Sequence, residues 1–152
     1  MAAVLFYHLT RSPLEATLPA LLAKAQGAGL RVMVRGASDE RLDWLDEALW
    51  QGDGFLPHGR AGRDHHADQP VLLGTGGEAP NGATCLMAVD GAEVDASEVA
   101  GLQKVCILFD GNDPDALSAA RGQWKSLTGA GCAAEYWSQE DGSWAVKAKS
   151  EG

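Results

Sequence analysis

The sequence has few cations and no long hydrophobic run. Its 152 residues carry 12 Lys and Arg against 21 Asp and Glu, a formal net charge of −9. That charge repels phosphate backbones and so disfavours direct binding of nucleic acid. No apolar run approaches the roughly 18 residues of a membrane-spanning helix, so we expect no membrane association. We also expect a cytoplasmic location, because the N-terminus lacks the basic and then apolar pattern of a signal peptide.

Cysteine is too scarce for a disulfide framework or a cysteine-based zinc site. Cys85, Cys106 and Cys132 are odd in number and form no CxxC pair. Two of them lie in apolar segments, which is typical of reduced thiols in a protein core. The sequence therefore predicts free cysteines in a reducing compartment.

The motifs that bind nucleotides or supply nucleophiles are absent as well. The first apolar segment is followed by residues 8–12, HLTRS, which contain no glycine, so no GxGxxG follows this segment, and the chain has no GxxxxGK[ST]. A GxSxG motif is also missing. Residues 74–77, GTGG, are only faintly similar to a phosphate-binding loop. We therefore expect no cofactor, and an enzyme is the less favoured class.

Strand and helix patterns alternate along the chain. Apolar segments rich in β-branched and aromatic residues predict strands, and amphipathic segments behind capping residues predict helices. The predicted strands are 2–8, 30–35, 70–73, 84–89, 104–110, 133–137 and 143–147, and the predicted helices follow caps at Ser12, Ser38 and Asn112 or Asp113. This order predicts one α/β domain over residues 1–152, a Rossmann-like sandwich with a mostly parallel sheet and an antiparallel edge.

The first predicted helix contains a proline. Pro19 cannot donate an interior helical hydrogen bond. We therefore expect either a kink at this residue or a helix that starts later than the cap at Ser12 and Pro13 indicates.

A histidine-rich loop is the strongest indication of metal chemistry. His58 is followed by His65, His66 and Asp68, and imidazole and carboxylate groups suit zinc or iron. Adjacent histidines do not easily face one ion, however, and no HExxH pattern is present. A solvated loop is therefore favoured, we expect no metal, and a metal-dependent hydrolase is the alternative function.

The helix predicted after Pro114 places two cations beside an aromatic residue. Arg121 and Lys125 lie four residues apart, on one helix face, and flank Trp124. One interpretation is a core tryptophan with a solvated cationic edge. The other is a pocket for an acidic peptide that ends in a carboxylate beside an aromatic ring.

A second candidate surface follows the helix predicted after Ser38. Trp50 lies at the end of that helix, and Phe55, Leu56 and Pro57 follow in a loop that we expect at the surface. Exposed apolar residues that lie together usually mark an interface. Trp50 and Phe55 could equally fold back onto the core, and the pattern leaves both interpretations open.

Several segments of the sequence, in their order and spacing, resemble the chi subunit of bacterial DNA polymerase III. They are Phe6-Tyr-His-Leu9, Leu45-Asp-Glu-Ala-Leu-Trp50 with Phe55-Leu-Pro-His58, Gln69-Pro-Val71, Phe109-Asp110 and Ala119-Ala-Arg-Gly-Gln-Trp-Lys125. The resemblance spans nearly the whole chain, and its most specific part is the LDEALW segment with FxPH.

The resemblance implies a noncatalytic accessory subunit of the clamp-loader complex, with a Rossmann-like fold that has lost nucleotide binding. Such proteins connect the clamp loader, through the psi subunit, to single-stranded-DNA-binding protein by holding its acidic C-terminal tail. Arg121, Trp124 and Lys125 match the family positions that receive this tail, with Trp124 where tyrosine is familiar. Leu117 stands where the familiar pattern has a further basic residue.

The resemblance also gives the second surface a partner. Trp50 and Phe55, with the adjoining Leu56 and Pro57, match the family surface that docks the psi subunit, or a DNA-repair helicase in its place. We expect no direct contact with nucleic acid.

Overall fold

Strands and helices alternate at the start of the described chain, as the sequence patterns predict, and three strands then follow one another before the alternation resumes. The computed structural model describes residues 3–10, 14–51, 58–60, 70–75, 81–140 and 143–150. The strands in these ranges are Val4–Leu9 (β1), Val32–Arg35 (β2), Gly59–Arg60 (β3), Val71–Gly74 (β4), Cys85–Ala88 (β5), Lys104–Asp110 (β6), Ala134–Glu140 (β7) and Ser143–Ser150 (β8). The helices are Leu14–Gly27 (α1), Asp39–Gln51 (α2), Ala96–Val99 (α3) and Pro114–Gly129 (α4). Among these described helices, none has the length and apolar character to cross a bilayer.

The described strands form one sheet in the order β3-β4-β2-β5-β6-β1-β7-β8. Every neighbouring pair is parallel except β7 and β8, which are antiparallel. The predicted mostly parallel sheet with an antiparallel edge is therefore confirmed. Strands β2, β4 and β5 are buried along their whole length, as expected for parallel strands covered on both faces.

Helices cover both faces of this sheet. Helices α1 and α2 bury Leu18, Leu22 and Leu45 against one face. Helices α3 and α4 bury Val99 and Leu127 against the opposite face. The result is a three-layered α/β/α sandwich of the Rossmann-like kind.

Strands β1 and β6 lie side by side, but the chain leaves them in opposite directions. After β1 it passes through α1 to β2, and after β6 it passes through α4 to β7 on the other side of β1. Open α/β sheets form a crevice at such a topological switch point. A crevice of about 760 Å³ lies here, and its lining includes Asp90, Asp110, Asp113 and Asp115.

Two short elements were not expected from the sequence. Strand β3 has two residues and pairs with β4, and helix α3 has four residues. Helix α3 begins with a local hydrogen bond, in which the Asp95 backbone N–H donates to Glu98 Oε1 over 3.0 Å. Elements this short contain only about one period of the apolar pattern, so periodicity cannot reveal them.

Pro19 lies inside α1, which begins at Leu14, so the alternative of a later helix start is wrong. The predicted cap residues Ser12 and Pro13 lie outside the described residues. Burial of Leu18 and Leu22 against the sheet offsets the hydrogen bond that proline cannot donate.

Candidate functional site

Helix α4 presents two cations to solvent and turns a tryptophan towards the sheet. Its first turn is fixed by Asp113, whose side chain accepts a hydrogen bond from the Asp115 backbone N–H over 3.0 Å. Arg121 and Lys125 are exposed, whereas Trp124 between them is half-buried. Because residues three and four apart share a helix face, the structure brings these three side chains to one stretch of surface.

The inner edge of Trp124 rests on aromatic residues of the sheet. Its ring centroid lies 5.3 Å from that of Phe6 at 61° and 6.2 Å from that of Tyr136 at 73°. Both contacts are edge-to-face, a geometry worth about 0.5–1.5 kcal/mol beyond the buried area. Trp124 is therefore anchored in the core on one side and exposed on the other, so each of the two sequence interpretations describes part of this side chain.

Tyr136 and the residues around it were not identified as part of the site from the sequence. The Tyr136 hydroxyl lies 2.9 Å from His8 Nδ1. The His8 ring stacks on Phe109, with centroids 5.2 Å apart and planes at 18°. Register explains this cluster, because Tyr136 pairs with Phe6 and His8 pairs with Phe109, so all four side chains leave the same face of the sheet. Successive side chains of each strand point to opposite faces, but the sequence does not say that β1 lies between β6 and β7.

The charge of Arg121 reaches this aromatic cluster. Burial raises the pKa of the Tyr136 hydroxyl above its usual value, while the nearby Arg121 guanidinium acts in the opposite direction. The net shift is upward, so the hydroxyl keeps its proton at neutral pH and can act as a hydrogen-bond donor.

Leu117, one turn before Arg121, packs against the apolar cluster beneath α4 and is half-buried. The position at which the familiar pattern has a basic residue therefore belongs to the core edge in this chain. Arg121 and Lys125 are the cations of this outer face of α4.

The second candidate surface lies almost entirely outside the described residues. Trp50 belongs to the last turn of α2, but its side chain is not described, and Phe55, Leu56 and Pro57 fall in the gap after the helix. Their role stays a prediction.

An exposed aromatic residue on α2 was not singled out from the sequence. Trp44 is 41% exposed, and the Arg41 guanidinium lies 4.4 Å above its ring. Arg41 also forms an exposed ion pair with Asp90 over 3.1 Å. The Asp90 carboxylate and the Trp44 ring therefore both contact this guanidinium.

His58 contacts a carboxylate of helix α2. It is buried, and its Nε2 lies 2.9 Å from Asp46 Oδ1, which ties the residue before β3 to helix α2. The other residues of the histidine-rich loop, His65, His66 and Asp68, lie outside the described residues. Within the described ranges, no three His, Cys, Asp or Glu side chains are grouped so that they could hold a metal ion.

Comparison with known proteins agrees with the resemblance seen in the sequence. Curated protein sequences gave no match to the chain. The family model of the DNA polymerase III chi subunit, HolC, matches residues 1–135, which include helix α4 with Arg121, Trp124 and Lys125. Strand β8 and most of β7 lie beyond the matched region. Because the match covers most of the 152 residues, the chain belongs to the DNA polymerase III chi subunit (HolC) family.

Proposed function

We propose that this protein is a noncatalytic, cytoplasmic accessory subunit of the DNA polymerase III holoenzyme that connects the clamp-loader complex to single-stranded-DNA-binding protein. It does so by binding the acidic C-terminal tail of that protein at Arg121, Trp124 and Lys125. Family membership supports the assignment to the polymerase complex. The observation that supports the tail site is a pair of exposed cations around a half-buried tryptophan in a chain of net charge −9.

The chemistry of the site suits a short acidic peptide. The two cations pair with carboxylates of the tail, and the open side of the Trp124 ring takes up a terminal phenylalanine. Since the net charge of the chain opposes an acidic ligand, attraction depends on the local field of Arg121 and Lys125 and weakens as salt is added. A peptide this short buries less than the roughly 1,200 Å² of stable interfaces, so the complex is transient.

Titration of a fluorescent acidic peptide that ends in phenylalanine with a free carboxylate tests the proposal. We expect Arg121→Ala to weaken binding about tenfold or more, because it removes a charged partner of the peptide. Lys24→Ala is the matched control, since Lys24 is an exposed cation on α1, across the sheet from α4. Equal binding by wild type and Arg121→Ala, or affinity that does not change with salt, would overturn the tail site.

For the second surface, the proposal is that Trp50, Phe55, Leu56 and Pro57 dock the psi subunit, or a DNA-repair helicase in its place. The matched family region, which contains all four residues, supports it. We expect Trp50→Ala to lose co-purification of this partner while its affinity for the tail peptide stays at the wild-type value. Retained co-purification in Trp50→Ala contradicts the docking role.

A further inference from the structure

The ring of His8 is held tightly between its neighbours. It stacks on Phe109, and Gly111 leaves it so little space that a Cβ at position 111 would overlap with the ring. His8 Nδ1 lies 2.9 Å from the Tyr136 hydroxyl. His8 Nε2 is buried and has no hydrogen-bond partner in the part of the chain that the structure describes.

These surroundings determine which nitrogen of the neutral imidazole carries the proton. A proton on Nε2 would be a buried donor without an acceptor, and such donors are rare in proteins because leaving them unpaired is costly. A proton on Nδ1 is instead donated to the Tyr136 oxygen, and Nε2 is left only as an unfilled acceptor. The surroundings of His8 therefore favour a proton on Nδ1.

The tautomer of His8 decides what the Tyr136 hydroxyl can do. Since the oxygen of Tyr136 accepts from His8, its own O–H proton points to a different partner. The ring of Tyr136 contacts Trp124, with centroids 6.2 Å apart, and Tyr136 is only half-buried. A hydroxyl proton that is not donated to His8 is therefore free to turn towards the surface beside Trp124.

We propose that Tyr136 is a specificity-determining residue of the tail site, and that its hydroxyl, aimed by His8, donates a hydrogen bond to the terminal carboxylate of the acidic peptide. This inference rests on the proposed function of α4. Tyr136 lies directly after the family-matched residues 1–135, so β7 adds to the site from outside the matched region. A neutral donor beside Arg121 supplements the cations on a face where Leu117 is apolar.

Binding of two peptides tests the recognition step. The peptides are identical acidic sequences that end in phenylalanine, one with a free carboxylate and one amidated. We expect Tyr136→Phe to weaken the free-carboxylate peptide about tenfold, the value of one hydrogen bond to a charged group, and to leave the amidated peptide unchanged. Tyr7→Phe is the control, because Tyr7 contributes to the apolar cluster on the other face of the sheet.

The tautomer can be measured without any peptide. We expect long-range proton–nitrogen NMR of the wild-type protein to show that Nδ1 of His8 is protonated and that Nε2 is not. If Tyr136→Phe does not fold, which its circular dichroism and thermal unfolding would reveal, a His8 proton on Nε2 still overturns the proposal.

The outcomes separate this inference from the proposed function. If the wild type binds neither peptide, the tail site itself fails. If Arg121→Ala weakens binding but Tyr136→Phe binds like the wild type, the tail site stands and the role of Tyr136 is wrong. Equal losses for both peptides, or a His8 proton on Nε2, also overturn that role.

Discussion

Arg35 and Glu98 form a bidentate ion pair that joins strand β2 to helix α3. Arg35 Nη1 lies 2.9 Å from Glu98 Oε1, and Nη2 lies 2.6 Å from Oε2. The Arg35 side chain is only 8% exposed, and its Nη1 also donates to the Glu93 carbonyl over 3.0 Å. The hydrogen bonds from Arg35 hold the pKa of Glu98 below its ordinary value of 4.5.

We therefore expect Glu98→Gln to lower the free energy of unfolding at pH 7 by about 3 kcal/mol, because it leaves a buried guanidinium without its counter-charge. Urea unfolding measures the change. Glu93→Gln is the control, since the exposed Glu93 side chain loses the same charge without touching this pair, and we expect it to stay within about 0.5 kcal/mol of wild type.

The same pair predicts a pH dependence. The pKa of Glu98 is lowered in the folded protein, so its stabilisation is fully present above the unfolded value of 4.5 and is lost as the pH falls through the lowered folded value. The difference between wild type and Glu98→Gln should therefore shrink below pH 4.5. A difference that stays constant down to acid unfolding contradicts the assignment.

Two glycine substitutions should act in opposite directions. Gly111→Ala places a methyl group against the trapped His8 ring, and we expect a loss of about 1–3 kcal/mol in the free energy of unfolding. Gly122 lies within α4 and has open space around it, so Gly122→Ala should stabilise the protein by about 0.5–1 kcal/mol through helix propensity. Thermal or urea unfolding of the two variants gives the comparison, and equal effects would contradict it.

The cysteines are free and buried, as the sequence predicts. Burial raises the pKa of Cys85 to about 11 and that of Cys106 to about 12, so neither thiol is ionised at neutral pH. We expect Ellman's reagent to react with them only as fast as the protein opens, and rapidly in denaturant. Fast reaction of Cys85 or Cys106 in the native protein would contradict the packing described for β5 and β6.

Replacement of Trp124 should separate its two roles. Trp124→Leu removes the edge-to-face contacts with Phe6 and Tyr136, and we expect a stability loss of about 1–2 kcal/mol. It should also weaken the peptide with terminal phenylalanine about fivefold, but not one with terminal alanine. Trp44→Leu on α2 is the control for removal of a partly exposed tryptophan, and weakening of both peptides by Trp124→Leu would argue against a ring contact.

Strand β6 and the starts of helices α2 and α4 were predictable because each depends on a short, continuous stretch of sequence. Strand β6 is an unbroken apolar run, and the caps at Asp113 and Ser38 are present, with the Arg41 backbone N–H donating to Ser38 Oγ over 3.3 Å. Helical spacing alone placed Arg121 and Lys125 on one helix face beside Trp124, and the family resemblance assigned them to the tail site. Their placement depends on one helix, and the sequence of that helix contains everything needed.

The partners beneath α4 could not be predicted in this way. His8 and Tyr136 are separated by 128 positions, and their contact exists only because β1 lies between β6 and β7. The position of a strand in a parallel sheet is set by crossover connections rather than by its own pattern. The sequence of α4 therefore indicated Arg121 and Lys125, whereas the contact between His8 and Tyr136 could be found only from the sheet order.

The crevice at the switch point has a consequence for how a ligand approaches. Asp113 and Asp115 line it at the start of α4, whereas Arg121 and Lys125 lie further along the same helix. In the proposed function, an acidic peptide is therefore repelled at one end of α4 and attracted towards the other, which gives the encounter a direction before any contact forms. The same carboxylates that disfavour a nucleotide at the carboxyl ends of β1 and β6 would then orient the peptide along α4.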